Sequence, residues 1–202
     1  MAMAKRVFDL IGAAVALLLA TPLLLALALW IKLDSPGPVL YRQQRVGRHG
    51  RLFGIHKLRT MAHGAAGLPL TLGDDDARIT RAGRWLRRTR LDELPQFIDV
   101  LKGDMSLVGP RPEVPRYVAL YPPALRERAL AVRPGMTDPA SLAFIDEGQR
   151  LAHAADPERE YVEAILPAKL QAAADYAERA TLWTDLQVLG RTLRALTKTT
   201  GA

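Results

Sequence analysis

Ten consecutive residues, Arg87-Arg88-Thr89-Arg90-Leu91-Asp92-Glu93-Leu94-Pro95-Gln96, set two adjacent carboxylates behind three arginines and a hydroxyl. Proline is tolerated in the first turn of a helix, whereas farther in its ring and missing N–H disrupt the turn. The spacing therefore predicts a helix from about Asp92, with Asp92 near the N-cap and Pro95 still in the first turn. A carboxylate there meets free backbone N–H groups and the positive end of the helix dipole, which favours its ionised form. The same end attracts phosphate oxygens. Asp92 could thus be an anionic nucleophile beside a phosphate whose charge Arg87, Arg88 and Arg90 offset. A capped, solvated helix start with a basic flank is the alternative that these ten residues leave open.

Other candidate groups lie on both sides. In His56-Lys57-Leu58-Arg59-Thr60-Met61, Lys57 and Arg59 are two apart and share one face of an extended strand, either as anion ligands or as a solvated edge. Arg111 stands between Pro110 and Pro112, and so restrained a guanidinium suits bidentate phosphate or carboxylate binding as well as it suits a rigid surface turn. Gly103 to Pro112 contains no Gly-Lys-Ser/Thr, so it is no nucleotide P-loop. Asp74-Asp75-Asp76 matches no calcium loop and reads as a solvated turn. His49, His56, His63 and His153 show no zinc-ligand spacing.

The chain of 202 residues is long enough for one domain with its own core, and with no cysteine it has neither disulfides nor thiolate metal sites. Its net charge of +7 is unevenly placed: Pro36 to Arg111 holds 14 Lys and Arg against 7 Asp and Glu, while the remainder balances. Such a block implies an anionic partner: nucleic acid, lipid head groups or a phosphorylated substrate.

The elements that must position these groups begin with an apolar run. Leu10 to Ile31 carries no charge and, as a helix, is about 33 Å long, enough to reach across a hydrocarbon core. Ala26-Leu27-Ala28 resembles a signal-peptidase site, but Leu29-Trp30-Ile31 continues the run beyond it. Thr21-Pro22 at mid-run counts against a straight span, and basic residues flank both ends. A helix that enters, bends at Thr21-Pro22 and returns to the same face accommodates both facts. Asp34 to Pro38 is a turn cluster. Val39-Leu40-Tyr41 and Leu52 to Ile55 then read as strands of a hairpin around Gly47-Arg48-His49-Gly50. His63 to Asp76 reads as a loop, and Ile79 to Thr89 as a basic helix of the composition that lies on an anionic membrane surface. The Asp92 helix stops at Gly103. Arg133 to Thr137 reads as a further turn. One helix is expected from Asp156-Pro157 to about Leu166, and a second from Pro167 to about Arg179. A last helix, from about Thr181 to Thr197, carries a stripe of Leu182, Leu186, Leu189, Leu193 and Leu196 expected to pack on the domain, with the membrane surface as the alternative.

Taken in this order, the segments resemble the bacterial sugar transferases, the monotopic polyprenol-phosphate phosphoglycosyl transferases. The resemblance covers nearly the whole chain. It includes Lys5-Arg6-Val7-Phe8-Asp9, Thr21-Pro22, Lys57-Leu58-Arg59-Thr60-Met61, Leu91 to Gln96, Asp99 to Pro112, and Arg133-Pro134-Gly135-Met136-Thr137. It implies a mostly α protein with a small β-hairpin: a re-entrant, kinked membrane helix over residues 1–33, joined to a compact cytoplasmic α/β domain over 34–202 with amphipathic interfacial helices. It implies transfer of a phosphosugar from a nucleoside diphosphate sugar, such as a UDP-sugar, to polyprenol (undecaprenyl) phosphate at the cytoplasmic face of the bacterial inner membrane. Asp92 would be the nucleophile that expels UMP and forms a phosphosugar-aspartyl intermediate, with Glu93 its acid/base partner. Mg²⁺ would bridge Asp92 and the diphosphate. Arg87, Arg111 and Lys57 or Arg59 would bind phosphate oxygens, Thr21 and Pro22 would form the membrane kink, and membrane phospholipids would be further partners. A homodimer is compatible with the resemblance.

After Thr137 the chain reads Asp138-Pro139-Ala140-Ser141-Leu142, where many members continue Gly-Trp-Ala-Gln-Val; this bears on the sugar choice and not on the dyad. The extra amino-terminal membrane helices of larger members are not in this sequence, which therefore looks like the minimal catalytic form. The rival from another class is a non-enzymatic, membrane-tethered basic module for acidic lipid or nucleic acid. Aromatic residues are only 6% of the chain and few interleave with the arginines, so no nucleic-acid partner is expected. That rival also gives Asp92-Glu93 no role.

Overall fold

The computed structural model describes residues 2–64, 76–140, 144 and 147–199. Most of the predicted His63–Asp76 loop, Asp74 and Asp75 within it, and Ser141-Leu142 lie outside the described residues. The fold is mostly helical with a small antiparallel pair of strands, as the resemblance implies.

Helix α1, Ala2–Asp34, contains Pro22, and its helical turns continue through that residue. The Thr21 hydroxyl donates to the Leu17 carbonyl at 2.7 Å. Two faces are distinct along it. Ala13, Leu27 and Ile31 are buried, whereas Val7, Ile11, Val15, Leu18, Leu25, Leu29 and Leu33 recur at helical spacing on the opposite, exposed side. Pro22 belongs to that outward stripe, and the helix is long and apolar enough to cross a membrane.

Both ends of α1 are fastened to the rest of the chain. At the amino end, Asp9 is buried and accepts from Ser106 Oγ at 3.0 Å and Leu107 N–H at 3.1 Å. Lys5 pairs with buried Asp185 and donates to the Val108 carbonyl at 3.1 Å. Arg6 donates to the Val100 and Leu101 carbonyls at 2.8 and 3.1 Å. At the carboxyl end, Arg59 donates to carbonyls in and just beyond the last turn: Ile31 at 3.2 Å, which also accepts from Ser35 N–H, Ser35 at 2.7 Å and Pro36. Asp34 accepts from Ala82 N–H at 3.0 Å in the next helix.

Strands β1, Leu40–Val46, and β2, Leu52–Leu58, form the predicted hairpin, with Tyr41 opposite Lys57 and Gln43 opposite Ile55. By alternation, Tyr41, Gln43 and Arg45 share one face. Helix α2, Arg81–Thr89, is capped by Thr80, whose hydroxyl accepts from Gly83 N–H at 3.0 Å. Gly83 lies so close to β2's extension that a Cβ would sit 1.9 Å from the Thr60 carbonyl oxygen; only glycine lets α2 rest there. Leu58, Ala82 and Leu86 close a small core with Leu27 and Ile31 of α1. Trp85 is exposed and packs on Trp30 of α1, ring centroids 5.4 Å apart.

Helix α3, Gln96–Lys102, ends on left-handed Gly103 as predicted. Its Asp99 is fully buried and accepts from His56 N–H at 2.9 Å, with His56 Nδ1 at 2.5 Å, which ties α3 to β2. Strand β3, Ser106–Val108, pairs parallel with β4, Gly135–Thr137, where a turn was predicted. The partners lie about thirty residues apart, so no local pattern announces them. Short helices α4, Pro115–Val118, and α5, Pro123–Ala129, join the two strands, and α6 covers Glu147–Ala152.

Two expectations about the last helices change. Helix α7, Pro157–Glu160, capped by Asp156, leads through a π-turn at Tyr161–Ile165 directly into α8, Leu166–Arg179. The wide turn absorbs the bond that Pro167 cannot make, so the helix does not restart there. In α9, Leu182–Thr199, the leucine stripe does not face the core: Leu182, Leu186 and Leu193 are exposed, and of the described stripe only Leu189 packs inward. The inward line is Asp185, Val188 and Thr192, because Asp185 is held by Lys5 and Tyr176 and the Thr192 hydroxyl meets Thr137 at 2.7 Å. The Leu196 side chain lies outside the described residues.

Candidate active site

The dyad sits at a reversal. Helix α2 ends on Arg90, whose left-handed backbone (φ 56°) turns the chain into a single 3-10 turn, Leu91–Glu93, before α3 begins. Asp92 is therefore not the N-cap that the proline spacing predicts. Arg90 holds that place, and Pro95 rather than Asp92 precedes α3. Asp92 is buried, and its carboxylate accepts no hydrogen bond among the described residues. Burial pushes its pKa above the ordinary aspartate value, helped by the neighbouring Glu93 charge and opposed by Lys57, Arg87 and Arg111. The downward shift expected at a helix start is thus replaced by an upward one, since removal from water outweighs the weak field of one short turn.

Glu93 has the opposite environment. Burial alone would raise it, but Arg111 and Lys57 together pull its pKa well below the usual carboxylate range. Lys57 Nζ and Arg111 Nη2 both reach Glu93 Oε1 at 2.7 Å, and Arg111 Nη1 lies 3.5 Å from Oε2. The pairing with Glu93 raises the Arg111 pKa in turn. Two like residues, adjacent in sequence, are thereby split into a carboxylate whose charge a cationic clamp favours and one whose charge burial disfavours.

Lys57, Arg59, Arg87, Asp92 and Arg111 line one cavity of about 550 Å³, so the structure brings together five of the residues singled out by sequence, with Glu93 bonded to Lys57 and Arg111. Between Lys57 and Arg59 it separates the roles. Lys57 enters the clamp, while both Nη atoms of Arg59, also on the cavity wall, are occupied in capping α1. Thr21 and Pro22 lie on α1, away from the cavity lining. Sequence reasoning missed Glu113. It accepts from Arg45 Nη1 at 3.3 Å, Tyr161 OH at 2.6 Å and Val114 N–H at 2.8 Å, which fixes the strap that carries Arg111. Arg45 reinforces the strap through the Pro112 carbonyl at 3.2 Å. Tyr161 is more than a hundred residues from Arg45, so no spacing pattern could have joined them.

Among the described residues no three His, Asp or Glu side chains converge as a metal cage. A magnesium ion needs no such cage, since it is commonly bound through one or two carboxylates together with substrate phosphates and water. A carboxylate that meets no donor among the described residues, on a cation-lined cavity, fits that requirement, and Asp92 is the residue that would hold the ion.

A family model described as bacterial sugar transferase matches residues 1–199. The chain belongs to that family. Similar proteins include a UDP-glucose:undecaprenyl-phosphate glucose-1-phosphate transferase of Caulobacter vibrioides, 42% identical across 98% of this chain and 71% of the relative. A UDP-N-acetylgalactosamine-undecaprenyl-phosphate N-acetylgalactosaminephosphotransferase of Aeromonas hydrophila is 38% identical across 98% of this chain and 44% of the relative. An undecaprenyl-phosphate galactose phosphotransferase of Salmonella typhimurium is 34% identical over 98% of this chain and 41% of its own length. This bacterial sugar transferase therefore spans less than half the length of two of these relatives, and the three differ in the sugar they name.

Proposed function

We propose that this sugar transferase moves a sugar 1-phosphate from a UDP-sugar to undecaprenyl phosphate, with Asp92 as the covalent nucleophile. The carrying observation is the buried Asp92 carboxylate that no donor among the described residues holds, beside a Glu93 clamped by Lys57 and Arg111. The Asp92 oxygen forms a bond to the sugar-linked phosphorus while the bond to the bridging oxygen breaks, and its electron pair leaves with UMP. An oxygen of the lipid phosphate then attacks the same phosphorus and releases Asp92. Lys57, Arg87 and Arg111 supply positive charge to the phosphate oxygens, and Glu93 stands ionised, in the state of a base rather than an acid. Mg²⁺, held through Asp92, would neutralise diphosphate charge and polarise the leaving oxygen.

The direct test omits the lipid. Enzyme, Mg²⁺ and the correct UDP-sugar should release UMP in a burst no larger than the enzyme present, with the phosphosugar trapped on the peptide containing Asp92. Release that begins only when undecaprenyl phosphate is added, with no labelled peptide, would replace the covalent route by direct attack.

The same reading makes α1 a re-entrant element at the cytoplasmic face of the inner membrane. What supports it is that both ends of α1 bond to the rest of the chain, while its outward stripe is exposed among the described residues. Trp30, Trp85 and the arginines of α2 then lie where phospholipid head groups would meet them. Single cysteines placed at Ala2 and at Ser35 should share one accessibility to an impermeant thiol reagent in intact cells. Labelling of one and not the other would mean a span.

A further inference from the structure

The cavity extends beyond the dyad in two directions along the hairpin, and the strand register measures both. Lys57, which holds Glu93, is opposite Tyr41. Two residues toward the base of the hairpin, about 7 Å at strand rise, come Arg59 and then Thr60 and Met61 on the cavity wall. Arg59 is bonded to the end of α1, and Thr60 lies against α2 at Gly83. That direction leads to the face carrying the apolar stripe and the tryptophan pair. Two residues toward the tip come Gln43 and then Arg45.

On the tip side the cavity is lined by a connected set of polar side chains. Gln43 Oε1 accepts from Arg45 Nη2 at 2.7 Å; Arg45 pairs with Glu113 at 3.3 Å; and Glu113 accepts from Tyr161 OH at 2.6 Å. The Tyr161 ring lies 5.5 Å from Lys169 Nζ, and Lys169 pairs with Glu147. All six residues line the cavity. The Gln43 amide nitrogen has no partner among the described residues, and Arg45 Nε is buried without one. Carboxylates, an amide, guanidinium donors and an aromatic ring are the groups that recognise a ring bearing several hydroxyls, each of which both donates and accepts.

We propose that this wall, Gln43–Arg45–Glu113–Tyr161–Lys169–Glu147, is the subsite for the donor's sugar and holds it through both half-reactions. The assignment rests on the covalent reading above and follows from its stereochemistry. In each displacement the entering and leaving oxygens lie in line across phosphorus. UMP leaves from the side opposite Asp92, and the lipid phosphate must enter from that same side before Asp92 departs. Nucleotide and lipid therefore occupy one region in turn, and it must open toward the membrane. The sugar oxygen stays on the phosphorus as an equatorial substituent throughout. Its ring belongs in the part of the cavity that faces neither, which is the polar end on the tip side.

The test uses the full-length protein in lipid nanodiscs with undecaprenyl phosphate, and UDP-glucose, UDP-galactose and UDP-N-acetylgalactosamine as probes. Glu147→Gln and Lys169→Met are assayed for kcat/KM with each donor and for the inhibition constant of UMP, with Gln43→Leu as a third variant should either misfold by circular dichroism. The expected result is a change of about tenfold or more in the ratio of kcat/KM between two donors, the worth of one hydrogen bond, with UMP inhibition moving less than about twofold. Equal loss for all donors, together with weaker UMP inhibition by the same factor, would make the wall a nucleotide subsite and overturn the proposal. Unchanged ratios in folded variants would overturn it too, leaving the reaction intact. A wild-type protein that neither transfers from these donors nor is inhibited by UMP would bring down the reaction and the subsite together.

Discussion

Asp92→Asn should abolish transfer and, in the same protein, raise the melting temperature. The two effects share one cause. Asp92 is buried and its carboxylate accepts no hydrogen bond among the described residues, so its charged form is costly and its folded pKa lies above the unfolded value of 3.8. For a carboxyl raised in this way, the stability it contributes is present below its unfolded pKa and is lost as pH rises through the folded one. At neutral pH it is a net liability, which the uncharged amide removes. The expected gain is a few degrees, since about 1 kcal/mol moves a domain of this size by roughly 2–4 °C. The loss of activity should be about four to six orders of magnitude, as for other nucleophile deletions, because an amide is a poor nucleophile. In the wild type, kcat/KM should fall with acid through a pKa above 3.8, since attack needs the ionised form. A variant that still gives the UMP burst would show that Asp92 is not the nucleophile, and one that melts lower would show that its carboxylate has a stabilising partner in the folded protein.

Arg111→Lys should be the next largest loss, although the charge is kept. The guanidinium spans both oxygens of Glu93, at 2.7 and 3.5 Å, while Lys57 already covers Oε1 from its other side. A lysine at 111 would put two point charges near one oxygen and leave Oε2 bare, and it could not grip two phosphate oxygens at once. The expected cost is about 1.5–3 kcal/mol, or roughly ten- to a hundred-and-fifty-fold, in kcat/KM. Wild-type kinetics in a folded Arg111→Lys protein would remove Arg111 from the phosphate site.

Local rules carried far in this chain and failed at identifiable places. The hairpin, α2, the Gly103 stop and the Asp156 cap each depend on residues within a few positions of one another, and they were legible. The dyad was legible as a pair of carboxylates but not as a split pair, because what separates Asp92 from Glu93 is Lys57 on β2 and Arg111 on the strap. Lys5, Arg6 and Asp9 read as a flank of the apolar run. Their partners, Val100 to Val108 and Asp185, are roughly a hundred or more residues away. The leucine stripe of α9 misled for a related reason. Hydrophobic periodicity assumes that the core is apolar, and here Asp185 and Thr192 are on the inward line, bonded to Lys5, Tyr176 and Thr137.

The double fastening of α1 bears on how such enzymes are assembled over evolution. An ordinary membrane anchor is an interchangeable part, joined by a linker and replaceable by any apolar helix of equal length. Residues 2–34 are not interchangeable in that sense. Ala13, Leu27 and Ile31 complete two separate cores, Asp9 supplies an acceptor to the β3 backbone, and Asp34 supplies one to the first turn of α2. A recombination break placed at the end of α1 would sever all of these at once. The additional length of the Aeromonas and Salmonella relatives, beyond the portion this chain matches, is accordingly the kind of change the architecture tolerates: material appended outside the unit rather than exchanged within it.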